Sequence, residues 1–403
     1  MQGRIACAMD DQRDIVMRVH EVALKGRNRP TFLRALVDHV RWATAGLGVE
    51  RVWVDHLVVR LRLGPDADWE VLRERLAKVP GAVKFSLVRR VAPEYDDIAS
   101  AVSAVVANRT FASFRITAHR ADKRFPLTSR ELNVSLGALV QHTTGTHVNL
   151  THADLEVHVD ILPRDAFVWA DEEPGLGGLP VGTGGKVAVL MSGGIDSPVA
   201  AWRMVRRGCR ASLVHFHSFP LVEGRSREKA RELASLLNAY QLSTRLYLVP
   251  FAPLQQRIIL SVPGPNRIVV YRRFMVRIAE AIARRDGAGA LVTGESLGQV
   301  GSQTLTNMAT VGDAATMPVL RPLVGMDKSE IIEQAQRIGT FETSIMPDED
   351  CCTLFVPKSP STSVRITEAR AAEAELDVDG LVAQAVRDAE VFDVRAPEAI
   401  AAG

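Results

Sequence analysis

The chain has 403 residues, 47% apolar and 24% charged, with a formal net charge of +2 at pH 7; this is the composition of soluble globular protein, with length for two or three cores. No run of about 18 apolar residues offers a membrane span, the N-terminal MQGRIACAMDDQRD lacks the basic and apolar regions of a signal peptide, and four cysteines are too few for a disulfide framework. A cytoplasmic location is the expectation, and near-neutral charge leaves any nucleic-acid contact to local clusters.

In chain order, alternation predicts strands over 15–22 and 52–61, and helical spacing predicts helices over 31–42 and 69–79. These make an α+β first domain, 1–80. A second α+β domain is expected over 81–173, with helices near 95–108 and 130–142 and strands near 113–119 and 154–162. PGLGGLPVGTGGK, 174–186, resists regular structure and reads as a linker. The last domain, 187–403, alternates strands (186–191, 211–216, 245–249, 290–293) with helices (197–207, 226–240, 267–285, 331–338). The final helix is opened by a capping box, Asp327 with Glu330. Repeated β–α order predicts an α/β fold with a doubly wound parallel sheet. The Ala- and Glu-rich tail after Pro360 reads as one or two surface helices.

The most informative stretch is VLMSGGIDSPVAA, 189–201. A strand ending at Met191 and a helix starting near Ser197 place the loop at the carboxyl edge of a parallel sheet, where doubly wound folds bind ligands. The first-turn N–H groups of that helix lack internal partners and carry the positive end of its dipole, so they favour an anion. Gly193 and Gly194 let backbone amides approach phosphate oxygens. Ser192 and Ser197 add hydroxyls, and Asp196 would position a phosphate-bound Mg²⁺. A tight turn alone needs one glycine and neither the hydroxyls nor the carboxylate.

This loop resembles the SGGxDS pyrophosphate loop (PP-loop) of the N-type ATP pyrophosphatases, which cleave ATP to AMP and pyrophosphate and activate a carbonyl oxygen as its adenylate. HEVALKGRNRPTF (20–32), VGTGGKVAVLMSGGIDSPVA (181–200), GESLGQVGSQTL (294–305), RPLVGMDKSEI (321–331) and EDCCTLFVPKSP (349–360) extend the resemblance over nearly the full chain to the tRNA 4-thiouridine synthases, the ThiI family. That resemblance implies ferredoxin-like, THUMP and PP-loop domains in turn, cofactors ATP and Mg²⁺, and an enzyme that transfers sulfur to uridine in tRNA at position 8. It also implies that Leu190, Met191, His215, Phe216, Arg272, Gly294 and Gln303 hold ATP together with the loop. Strand ends at 190–191 and 215–216 share one sheet edge, where backbone groups and an aromatic face would sandwich a purine; core packing is the competing explanation for the Met191 and Phe216 side chains. Arg272, in a long helix, would counter phosphate charge.

The resemblance further implies a persulfide on a cysteine, charged by a cysteine desulfurase or a separate carrier, with a second cysteine releasing the sulfur. Cys351 and Cys352 are the candidates, either one as carrier. Asp348, Glu349 and Asp350 would raise a neighbouring thiol's pKa, so activation must come from Lys358 or a bound cation. Cys7 and Cys209 offer no paired-ligand spacing, so no protein metal site is expected. Many family members carry a C-terminal rhodanese domain, for which the roughly forty residues after Pro360 are too few. Some also supply sulfur for the thiazole of thiamine, which the residues here do not decide.

Arg109, Arg115, Arg120, Lys123, Arg124 and Arg130, interleaved with Phe111, Phe114 and Phe125, form a basic stretch in the THUMP-like segment; Arg115, Arg120, Lys123 and Arg124 are the RNA-binding candidates. A second cluster, Lys25, Arg27 and Arg29, lies in an N-terminal loop. A solvated charged face over core phenylalanines is the competing explanation. A homodimer, one subunit grasping RNA and the other modifying it, would suit the chemistry. Two other readings are weaker: a non-catalytic RNA-binding protein that keeps the ATP fold, against which the intact loop and cysteine pair argue, and a small-molecule ligase, which the basic N-terminal half disfavours.

Overall fold

The computed structural model describes residues 13–55, 57–221, 224–347 and 360–395. By contacts the chain forms two units that part between Gly177 and Gly178, with residues 34–39 and 78–81 grouped with the second.

The first half runs β1 (Arg13–Arg18), α1 (Arg29–Ala43), β2 (Val49–Asp55), β3 (Val58–Leu63), α2 (Trp69–Leu76), β4 (Lys84–Val91), α3 (Tyr95–Val106), β5 (Ser113–Arg120), α4 (Ser129–Thr144), β6 (His147–Val148), β7 (Leu155–Ile161), β8 (Ala166–Trp169) and β9 (Glu173–Pro174). Its strands form one sheet in the order β2-β3-β1-β4-β8-β7-β5-β6, with β9 on β4. The ferredoxin-like and THUMP-like segments are therefore joined edge to edge through antiparallel β4 and β8. The α3 and α4 helices bury Ile98, Val102, Leu132 and Leu136 against Phe114, Ile116, Val157 and Val159. The α4 helix starts on a capping box, Thr128 with Glu131. The run expected as one strand over 52–61 is the hairpin β2–β3, because apolar alternation continues through a chain reversal and a period of two does not register it. The strand expected over 15–22 stops at Arg18 and gives way to 3₁₀ turns over Glu21–Asn28.

The second half runs β10 (Lys186–Met191), α5 (Asp196–Arg206), β11 (Arg210–His217), α6 (Arg225–Gln241), β12 (Ser243–Pro250), α7 (Ala252–Ser261), α8 (Arg267–Arg285), β13 (Ala290–Val292), α9 (Leu305–Gly312), β14 (Val319–Leu320), α10 (Lys328–Arg337), α11 (Phe341–Ile345), α12 (Ile366–Glu373), α13 (Val378–Arg387) and β15 (Glu390–Arg395). The sheet order is β14-β13-β10-β11-β12-β15. All pairs are parallel except β12 with β15, so the expected doubly wound sheet acquires one antiparallel edge. On one face Ala188, Val214, Phe216 and Val249 pack with Tyr271, Phe274 and Ile278 of α8; α5 and α6 lie against the sheet with Ala200, Trp202, Leu233 and Leu237 buried. Asp327 and Glu330 form the expected capping box of α10.

The tail departs from the expectation of surface helices. Ala369 of α12 and Ala385 and Val386 of α13 belong to the α8 core, and Glu373 is buried in bidentate pairs with Arg273 and Arg277 of α8. Composition indicated helix but not the buried partner that four guanidinium contacts supply. No helix among the described residues is long and apolar enough to cross a membrane.

Candidate nucleotide site

Parallel strands β10 and β13 adjoin where the sheet order reverses, the place at which helices diverge and leave a crevice. The Ser192–Ser197 corner opens there. Ser197 Oγ, buried, accepts from Ser192 N at 2.9 Å and lies 3.1 Å from Ser192 Oγ, which in turn accepts from Gly194 N at 3.2 Å. Both hydroxyls thus brace the corner itself. The five-residue span lets the two hydroxyls meet. The α5 N-terminus has no side-chain cap, so its first-turn amides retain the orphan donors and positive dipole that suit an anion.

Gly294, just past β13, faces this turn: a Cβ there would stand 2.8 Å from Ser197 N and 2.9 Å from the Asp196 carbonyl carbon. Only a residue without a side chain lets the two loops close up. Asp196, which opens α5, accepts from Lys328 Nζ at 2.7 Å through Oδ1 and from Gln299 Nε2 at 2.9 Å through Oδ2. Arg272 of α8 donates to Glu295 and, at 2.8 Å, to the Ser302 carbonyl next to Gln303. Arg321 donates from Nε to Glu295 at 2.6 Å, as does Thr293 Oγ1 at 2.8 Å. Burial pushes the Glu295 carboxyl up, but Arg272, Arg321 and Thr293 outweigh it and hold it below the usual carboxylate range.

The structure therefore brings Ser192, Gly193, Gly194, Asp196, Ser197, Gly294, Arg272 and the turn carrying Gln303 to one sheet edge. His215 Nδ1 sits 3.0 Å from the Met191 carbonyl, linking the ends of β10 and β11. For the Phe216 side chain the structure gives the competing explanation, core packing: its ring is 5% exposed and packs edge-on against Phe251, centroids 5.4 Å apart, turned into the α8 core. The Met191 side chain is likewise buried beside Ser197 Oγ. At these two positions only backbone is left for a purine, whereas Leu190 is half-buried against the same core. Lys328, Gln299, Glu295 and Arg321 were not singled out from sequence. All lie within the GESLGQVGSQTL and RPLVGMDKSEI stretches, and Arg321 directly follows β14 at its carboxyl end, the available signal.

The cysteine candidates Cys351 and Cys352, together with Cys7 and Lys358, lie outside the described residues. Cys209 is buried against the Gly184 carbonyl and burial pushes its thiol up, as suits a packing residue. No metal-holding group of three His, Cys, Asp or Glu occurs among the described residues.

The basic stretch is more neutralised than its sequence suggests. Arg115 pairs with Glu156 on the adjacent strand, Arg124 with Asp122 at 2.9 Å and Arg109 with Asp171 at 2.7 Å. Arg120 donates to the Phe125 and Leu127 carbonyls, holding a turn. Phe114 and Phe125 are core residues, 0% and 8% exposed, so those rings cannot stack on bases. Lys123 is exposed.

Comparison with known proteins matches these halves to three family models: the ThiI ferredoxin-like domain over residues 14–86, the THUMP domain over 92–171, and "Thiamine biosynthesis protein (ThiI)" over 182–378. The "Probable tRNA sulfurtransferase" of Thermus thermophilus is 50% identical across 94% of this chain and 93% of its own. That of Moorella thermoacetica is 44% identical across 96% and 98%. A 4-thiouridine synthetase crystallised as an RNA complex with bound ATP superposes with a TM-score of 0.89 at 33% identity, covering 96% of this chain and 100% of that one. The chain belongs to the ThiI family of tRNA sulfurtransferases.

Proposed function

We propose that the chain makes 4-thiouridine at position 8 of tRNA, with the unit after Gly177 as the ATP-dependent catalytic part and the 81–173 segment as the RNA-gripping part. The carrying observation is that Gly294 presses on the uncapped N-terminus of α5 and Gln299 bonds to Asp196 there, while Arg272 ties Glu295, the neighbour of Gly294, to the Ser302 carbonyl beside Gln303. ATP bound there presents its pyrophosphate to backbone donors while the uracil C4 oxygen attacks the α-phosphate; AMP becomes attached to that oxygen and pyrophosphate leaves. A persulfide on Cys351 or Cys352 then attacks C4 through its terminal sulfur and expels AMP. The other thiolate attacks the bridging sulfur, frees the thiolated base and leaves a Cys351–Cys352 disulfide, which a dithiol reductant returns to thiols.

Asp196 offers the single hard carboxylate that Mg²⁺ needs when phosphates complete its shell, and its two oxygens now engage Lys328 and Gln299. Mg²⁺ would neutralise phosphate charge; this chain's part is to orient the triphosphate and exclude water. A cysteine desulfurase or a separate carrier supplies the sulfur, a homodimer fits the division between gripping and modification, and the same persulfide would serve the thiazole of thiamine.

The test incubates the protein with tRNA, ATP, Mg²⁺, a desulfurase and cysteine, and reads 4-thiouridine by its near-ultraviolet absorbance together with pyrophosphate. Wild type should give both. C351S/C352S should release pyrophosphate without forming 4-thiouridine; thiolation by that variant would refute the cysteine assignment, and no RNA-dependent pyrophosphate from wild type would refute the reading as a whole.

A further inference from the structure

Two arginines at the sheet edge share one buried carboxylate. Glu295 is 3% exposed, and its oxygens accept from Arg272 of α8, from Arg321 just beyond β14 at 2.6 Å, and from Thr293 at 2.8 Å. The two arginine side chains are 18% and 21% exposed. The carboxylate is sealed while both arginine side chains remain partly exposed. Two positive charges against one negative leave the cluster cationic. Arg272 spends further donor capacity on the Ser302 carbonyl and Arg321 on the Met308 carbonyl at 3.4 Å; with five N–H groups on each guanidinium, donors remain on both. Gly294, next in chain, presses against Ser197 N and Asp196, so the cluster and the α5 N-terminus border one crevice.

We propose that Glu295 is a positioning residue that holds Arg272 and Arg321 as a two-arginine clamp on the phosphates of the nucleotide bound at the Ser192–Ser197 corner. The inference rests on ATP binding there, as proposed above, and adds Arg321 as a phosphate-binding side chain. Two guanidiniums repel each other; the carboxylate between them offsets that repulsion and fixes both before the ligand arrives, so less ordering is needed on binding. Glu295 itself stays behind the arginines.

The experiment measures ATP and adenosine affinities of the full chain by calorimetry for wild type, E295Q, R321Q and E295Q in an R272A/R321A background. E295Q and R321Q should each weaken ATP by about tenfold or more, the range for hydrogen bonds to charged groups, and leave adenosine affinity unchanged. In the double-arginine variant, E295Q should add nothing. A plain structural role predicts parallel loss of ATP and adenosine, which would overturn the proposal, as would unchanged ATP affinity in either single variant. R321Q alters a part-exposed side chain and keeps the test open if E295Q fails to fold. Wild type that binds no ATP would sink the underlying functional reading and this inference with it, whereas wild-type binding with insensitive variants sinks this inference alone.

Discussion

Lys328 Nζ donates to Asp196 Oδ1 at 2.7 Å across 132 residues of sequence, tying the start of α10 to the start of α5. The ammonium therefore stands beside the carboxylate of the Ser192–Ser197 corner, where the phosphates of the proposed nucleotide would compete for it. K328Q should lower pyrophosphate release by roughly 100-fold, the loss seen when one preorganised charge partner is removed, and D196N should raise the Mg²⁺ concentration that half-saturates the reaction. Wild-type turnover by K328Q in a pyrophosphate-release assay would show that this pair plays no part.

Gly294 is held by space alone. A methyl group there would sit 2.8 Å from Ser197 N, so G294A must displace the first turn of α5. Expected are an overpacking cost of about 1–3 kcal/mol in stability and weaker ATP binding, measured by urea titration and calorimetry. Identical affinity and midpoint would mean the two loops have slack.

The RNA candidates separate by their partners. K123E should weaken tRNA binding at low salt and reduce the salt slope by about one. R120E should instead lower the thermal midpoint, since Arg120 holds the Phe125 and Leu127 carbonyls. Binding assays at two ionic strengths, read beside melting curves, distinguish the two; a K123E protein with unaltered tRNA affinity removes the patch from consideration.

His217 is buried at the end of β11, and neither ring nitrogen has a hydrogen-bond partner among the described residues. Burial first, then Arg227 and His215, push it down to about 4. The unfolded chain takes up that proton near pH 6.5 and the folded chain only near pH 4, so stability is full above 6.5 and falls as pH drops through that window, by roughly 3 kcal/mol at most. His39, likewise brought to about 4 by burial, adds to the slope. Urea midpoints at pH 7 and pH 5 should differ less in H217N than in wild type; an equal difference would exclude His217 as a contributor.

Features encoded within one turn or one strand were readable directly. The 267–285 helix, the Asp327–Glu330 cap and the SGGIDS corner each depend on neighbours within a few positions, so periodicity and residue type suffice. The corner's geometry was readable for the same reason: adjacent glycines, a helix start and a carboxylate are all local, and the proposed anion site rests on them. The sequence also carried the family resemblance, spread over stretches from 20 to 360. Tertiary structure alone decided what those residues touch. The Ser192 and Ser197 hydroxyls meet each other, Phe216 turns into the α8 core, and Arg115 and Arg124 meet acids that charge counting along the chain left unpaired. Asp196 with Lys328, and Arg272 with Glu295 and Arg321, are neighbours only because parallel strands bring their carboxyl ends to one edge. Such contacts depend on how layers stack, and no local period encodes that.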